Sequence, residues 1–388
     1  MTNGKYIMKI SRSILELLPF ITALFSLTSC SHVNSPEPLN NSPIIEERGI
    51  WLHRKDILAP KEDLLKLLDE LKEANFTSLY VQTYFRGSVI YPDSRFLPQF
   101  SEVEDPDILD WLIPEIRKRG MRAEAWMEYG FYVCHVPDAT KTDDRGFFLS
   151  LYPELTARDA DGISYIHNED WGDYYSLCPA NPKSHELLAN VCLETLTLYP
   201  FDGLNLDRIR FPGERFCFCD FCKINFKKDT GLDLEPFPID SLEYKIFIRW
   251  RNDKISRFME VYVPRFRHAR PGVTVTMACL PPDMMESHSQ PWNLWLEKGY
   301  LDAAMPMLYG DDDFENRVRI IMAFPRRDLI FCALDADDLK PRKILKQIKR
   351  LKRKGIKGFA FWYSGAIKND LPRLKSGPFA IPAFSPLD

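Results

Sequence analysis

From Arg48 onward the chain alternates, eight times over, between a short strand-like run and a helix-like one. The strand candidates are RGIWLHR (48–54), TSLYVQTYF (77–85), MRAEAWMEY (121–129), DGLNLDRI (202–209), VTVTMACL (273–280), LDAAMPMLY (301–309), DLIFCALD (328–335) and KGFAFWYS (357–364). Amphipathic runs lie between them, among them KEDLLKLLDELKEANF, DILDWLIPEIRKRG, HELLANVCLETLTLYPF and RKILKQIKRLKRKG. Several end in Gly just ahead of the next strand, as helix C-caps do. Eight such units predict an α/β fold, a (β/α)8 TIM barrel over residues 47–388. A doubly wound open sheet would need a glycine-rich phosphate turn after an early strand, and the sequence has none. Apolar residues at 45%, with 13% aromatics, can fill a large core and still leave rings for a cleft.

The first 30 residues read as a leader rather than as fold. Lys5, Lys9 and Arg12 precede an apolar run from Leu17 to Leu27, which ends in Leu27-Thr28-Ser29-Cys30. A positive start, a short apolar stretch and small residues before a cleavage point describe a secretory signal. The tetrapeptide is similar to a bacterial lipobox, which makes Cys30 the expected lipidation site. A signal peptide with a chance cysteine is the alternative. The stretch after it, rich in Pro, Ser and Asn, is expected to be a flexible tether through residue 46. The expectation is a barrel in the cell envelope, lipid-anchored to a bacterial membrane. Basic and acidic residues nearly cancel, 51 against 55, so no overall field favours nucleic acid. The basic run from Lys340 to Gly355 reads as the wet face of a surface helix.

Chemistry concentrates in FDGLNLDRIRFP, Phe201 to Pro212. On a period-2 strand Leu204 and Leu206 share one face, and Asn205 and Asp207 the other. Asp207 falls at the C-terminal end, where barrel enzymes keep their reacting groups. On the preceding strand the same alternation sends Glu124, Trp126 and Glu128 toward the lumen, with Glu128 nearest the mouth. Adjacent strands are about 4.8 Å apart, and retaining glycosidases hold two carboxyls about 5–5.5 Å apart. Asp207 therefore reads as a nucleophile kept ionised by Arg208 or Arg210, and Glu128 as the acid/base with a raised pKa. A structural carboxylate–arginine network is the other reading. Asp283 and Asp335 are alternative acids. Trp51, His53, Gln82, Tyr84, Tyr309 and Trp362 lie near strand ends and, with Trp126, suit a carbohydrate subsite, although singly each fits barrel packing. His53 alone does not make a metal site.

Two connections are long, Phe131 to about Lys183 and Phe211 to about Asp240; both fall on the catalytic face. The first carries Tyr165, Trp171, Tyr174 and Tyr175, rings that suit sugar faces. The second carries Cys217, Cys219 and Cys222. That spacing suits a structural zinc, with Cys134, Cys178 or a His as fourth ligand, or disulfides in an oxidising compartment, or inert thiols. Cys192, Cys279 and Cys332 fall in helix or strand patterns and read as core. The chain has no P-loop, HExxH or GxSxG pattern. No cofactor is required by the expected chemistry.

Several motifs, in order, resemble the bacterial glycosyl-hydrolase-like 10 family of barrel lipoproteins. They are RGIWL at Arg48, FTSLYVQ at Phe76, RGSVIYPDS at Arg86, DILDWLIPEIRKRGMRAEAWME at Asp107, LCPANP at Leu177, YPFDGLNLDRIRFP at Tyr199 and MPMLYG at Met305. The resemblance implies a (β/α)8 barrel and hydrolysis of O-glycosidic bonds in a cell-envelope glycan, such as peptidoglycan strands without stem peptides. Asp207 sits on the family's motif. Glu128 stands where the family pattern AW-x-N-P-Y has Asn, so its role rests on geometry alone. The expected partner is a polysaccharide. A non-catalytic glycan-binding or scaffolding lipoprotein is the reading from another class. A metal-dependent deacetylase would need a His/Asp cluster, which the seven scattered histidines do not suggest.

Overall fold

A computed structural model describes residues 42–137, 145–169, 172–310 and 313–388. The leader, Cys30, most of the expected tether and Trp171 lie outside the described residues. The barrel strands are β1 (Glu47–Leu52), β2 (Ser78–Phe85), β3 (Arg122–Met127), β4 (Gly203–Leu206), β5 (Thr274–Cys279), β6 (Ala303–Pro306), β7 (Cys332–Asp335) and β8 (Gly358–Trp362). Each falls inside the run expected for it, save that β1 begins one residue early, at Glu47. They pair in parallel from β6 through β5, β4, β3, β2, β1 and β8 to β7. Two isolated bridges, Ala304 to Ile330 and Met307 to Ala333, bring β6 to β7 and close the ring.

Parity along the strands sets the two faces. Ile50, Leu52, Val81, Ala125, Leu204 and Leu206 turn outward and pack under the helices in one continuous core. Trp51, Tyr80, Trp126, Met305 and Phe331 turn inward with four alanines. The bulky rings need room, and glycines provide it. A Cβ on Gly49 would meet the Tyr80 ring, and one on Gly358 would meet Phe331. The outer helices include α1 (Lys61–Glu73), α2 (Ile108–Lys118) and α3 (Pro182–Leu198), followed by α4 (Leu242–Ala269). The basic run forms a helix over Pro341–Arg353 that buries Ile344, Ile348 and Leu351, so its charges face outward. No described helix is long and apolar enough to cross a membrane.

The bottom of the barrel is sealed by the chain's own end. Glu47 accepts hydrogen bonds from the Tyr80 hydroxyl at 3.0 Å and from Ser385. Glu124 accepts from Thr276 Oγ1 at 2.7 Å and lies 3.6 Å from Arg122. Arg122 in turn donates to the Leu387 carbonyl at 2.9 Å. The ordered fold also begins earlier than residue 47. Ile44–Ile45 pairs in parallel with Ala383–Phe384, and buried Glu46 bridges Arg48 and Lys352. The last residues read as tether thus belong to this seal.

Candidate active site

Above the packed lumen, at the C-terminal ends of the strands, opens a cavity of about 420 Å³. Its floor is set by β3 and β4. The pairs Trp126–Asn205 and Met127–Leu206 lie in register, so Glu128 and Asp207 are the next residues on two adjacent strands. Both line the cavity although they are only 6% and 7% exposed. The backbone just beyond is drawn tight. Gly130 has φ +49°, and a Cβ there would strike the Asp207 carbonyl, so only glycine lets the two strand ends lie this close.

Each carboxylate has its own partners. Asp207 accepts from the Arg208 backbone N–H at 2.6 Å and from Trp126 Nε1 at 3.3 Å. Glu128 accepts from the Gln82 side-chain amide, whose oxygen accepts the Arg54 N–H at 2.7 Å. Burial pushes the Glu128 carboxyl up to about 7 despite Arg208, with the nearby Asp207 charge adding to the rise. Burial raises Asp207 as well, but Arg208, Arg210 and its two N–H donors work against that rise. Two buried acids side by side in unlike settings are a recurring acid/base arrangement.

The arginines are left with unspent donors. The Arg208 guanidinium lies over Tyr129 at 4.6 Å, and also over Tyr132 and Tyr174. Its Nη1, and the Nε and Nη1 of Arg210, are buried with no hydrogen-bond partner among the described residues. Buried guanidinium N–H groups without acceptors are costly unless a ligand supplies the acceptor. Arg208 also holds φ +50°, a left-handed backbone that is uncommon outside glycine and that turns the chain directly after Asp207.

The residues expected to contact a sugar divide into three groups. Trp51, His53, Tyr309 and Trp362 line the cavity with Arg208 and Arg210. Gln82 and Trp126 sit beneath it, fully buried, and touch the acids instead. Tyr84 is a correction. β2 pairs Gln82 with Trp126 but Tyr84 with Met127, so Thr83 is an extra residue in the ladder. That bulge shifts the alternation by one. Tyr84 therefore points out into the helix-side core, where its hydroxyl donates to the Tyr132 carbonyl at 3.4 Å. The alternative acids also resolve. Asp283 is held by Arg317 at 2.9 Å outside the cavity, and Asp335 accepts the N–H groups of Asp337 and Asp338.

The sequence did not point to Arg54, Arg86, His135, Asp337 or Tyr363, which also line the cavity. His135 and Tyr174 stack at 4.4 Å across an antiparallel sheet of three short strands, Tyr132–Val136, Tyr165–Asn168 and Gly172–Ser176. The first long connection is thus a folded wall rather than an irregular loop. The one available signal was its alternation of aromatic and polar residues. His53 caps a short helical turn, and burial beside Arg54 and Lys55 lowers it to about 4, so it is neutral near pH 7.

Behind this wall Cys178, Cys217, Cys219 and Cys222 meet, all four buried, with Cys178 as the fourth member. Cys192, Cys279 and Cys332 are core residues, as expected.

Comparison with known proteins agrees with this architecture. Glycosyl hydrolase DigH of Escherichia coli K12 is 26% identical over 169 residues, which span 40% of this chain and 36% of the relative. The chain therefore matches little more than a third of that relative's length. The glycoside hydrolase domain of PgaB (BpsB) from Bordetella bronchiseptica superposes with a TM-score of 0.59 at 14% identity, covering 85% of this chain and 99% of that domain. The catalytic domain of β-amylase from Paenibacillus polymyxa gives 0.59 at 12% identity, covering 85% and 95%. At such identities the likeness shows a shared barrel fold. The glycosyl hydrolase-like 10 family model matches residues 46–319, from the residue before β1 through β6 and beyond, and with that match over most of the barrel the chain belongs to the glycosyl hydrolase-like 10 family.

Proposed function

We propose that this chain is an exported, lipid-anchored glycoside hydrolase that cleaves O-glycosidic bonds of an envelope glycan, peptidoglycan strands lacking stem peptides. The observation that carries the reading is the Glu128/Asp207 pair, adjacent at the cavity floor, where burial raises both carboxyls and Asp207 alone has Arg210 and two N–H donors beside Arg208 to hold it back. Strand spacing of about 4.8 Å brings the two carboxyls near the separation of about 5–5.5 Å used in retention. Glu128, protonated up to about pH 7, donates its proton to the leaving oxygen. Asp207, steadied by Arg208 and Arg210, attacks the anomeric carbon and forms a glycosyl ester. Glu128, now ionised, takes a proton from the water that opens the ester. Gln82 and Trp126 orient the two acids from below. Trp51, Tyr309 and Trp362 offer ring faces to the sugar.

The free donors of Arg208 and Arg210 support an anionic glycan. A strand stripped of stem peptides exposes the lactyl carboxylate of each muramic residue, an acceptor that a guanidinium binds well. The Leu27-Thr28-Ser29-Cys30 run supports the anchor.

The test is incubation with intact, peptide-free, deacetylated and carboxyl-reduced glycan strands, with products read by mass spectrometry. Peptide-free strands should be cleaved fastest. Reducing their carboxylates should slow cleavage roughly 10–100-fold, the loss of a charge-assisted hydrogen bond. Binding without cleavage of any strand would overturn the hydrolase in favour of the glycan-binding reading.

A further inference from the structure

Outside the reaction centre, the densest set of metal-ligating side chains among the described residues is Cys178, Cys217, Cys219 and Cys222. Their four sulfurs lie within 4.8 Å of one another, and Cys178 and Cys222 are 3.4 Å apart. A disulfide needs about 2.05 Å between sulfurs. A tetrahedral zinc–thiolate site, with bonds of about 2.3 Å, needs edges of about 3.8 Å. Four sulfurs converging on one point match the second geometry. Inert core thiols have no reason to converge from two separate chain segments.

The surroundings suit a thiolate cluster. Cys219 is the N-cap of the helix Asp220–Thr230, so its thiol lies at the positive end of that helix. Arg251, fully buried, donates to the carbonyls of Gly213 and Ser287 and interacts electrostatically with Cys217 and Cys222. Besides holding those carbonyls, a buried cation beside two of the four thiols offsets the charge of a metal–thiolate centre.

We propose that these four cysteines hold a structural zinc ion. Binding releases four thiol protons and leaves a centre of net charge −2, which Arg251 partly balances. Cys178 closes the wall that carries Tyr174, and the other three lie in the connection that follows Arg208 and Arg210. The ion therefore locks together two connections that shape the cavity mouth, and it takes no part in the reaction. The inference stands whether or not the barrel hydrolyses glycan.

The full chain, purified without reductant or chelator, should contain about one zinc per molecule by elemental analysis. Cobalt exchanged for zinc should give the intense visible bands and sulfur charge-transfer absorption of tetrahedral thiolate coordination. Thiols should resist disulfide reagents until a mercurial releases the metal. Cys222→His keeps four ligands and should retain zinc with a shifted cobalt spectrum; Cys222→Ser should lose it or fail to fold. Cys332→Ser, outside the cluster, should leave the content unchanged. Zinc-free protein with two disulfides by mass, or with four freely reacting thiols and no cobalt bands, overturns the proposal.

Discussion

Glu124 and Glu128 stand on one strand and one face, and burial pushes both carboxyls up to about 7. What surrounds them differs. At the closed end, Glu124 takes a hydroxyl from Thr276 and the charge of Arg122, and Arg122 is itself tied to the chain's C-terminal residues. At the open end, Glu128 faces a cavity whose arginines keep donors without acceptors. A raised pKa marks burial at both ends of the barrel. Glu124 Oε1 and Arg122 Nε also lack hydrogen-bond partners, but they face each other at 3.6 Å beneath packed side chains, whereas Glu128, Arg208 and Arg210 line an open cavity, and that access marks the candidate for chemistry.

The largest expected effect comes from Asp207→Asn. It should reduce glycan cleavage by on the order of 10⁴-fold or more, with the thermal melt nearly unchanged. Cleavage at the wild-type rate would remove Asp207 from the reaction and leave the two ends of the barrel alike. Glu128→Gln should cost about 10²–10⁴-fold and change the pH profile. In the wild type, activity falls as pH rises through about 7, because Glu128 loses the proton it must donate. The variant's residual rate should lack that alkaline limb, and a limb that persists would assign it to another group. Glu124→Gln should leave turnover within about twofold and alter only stability. The folded-state pKa of Glu124 lies above the ordinary carboxylate value. Its stabilising contribution is therefore full below that ordinary value and is lost as pH rises toward about 7. Melting temperatures taken from pH 4.5 to 8 should fall less steeply in the variant. A loss of turnover there would mean the seal and the mouth are coupled.

How far the sequence reveals such a site depends on whether local periodicity survives folding. Asn205, Asp207, Trp126 and Glu128 reach the lumen side because β3 and β4 keep a strict period of two. Tyr84 does not, because one bulged residue at Thr83 reverses its parity, and no alternation of apolar residues announces a bulge. Arg54 and Asp337 follow strand ends, where the path of the chain depends on packing against other segments. Cys178 lies far along the chain from Cys217, and only the folded wall brings them together. The unpaired donors of Arg208 and Arg210 had no signature either, since lack of a partner is a property of the whole assembled site.

The seal at the barrel floor has a consequence for how the protein is made. Arg48 donates to the carbonyls of Phe379 and Ile381, and Ser385 to Glu47, contacts that join residues more than 330 positions apart. The buried charges of the first strand stay uncompensated until residues 379–385, far along the chain, fold back onto them, so the floor closes late. Removal of residues 379–385 would then act as a folding defect, far from the mouth, with every cavity residue still present.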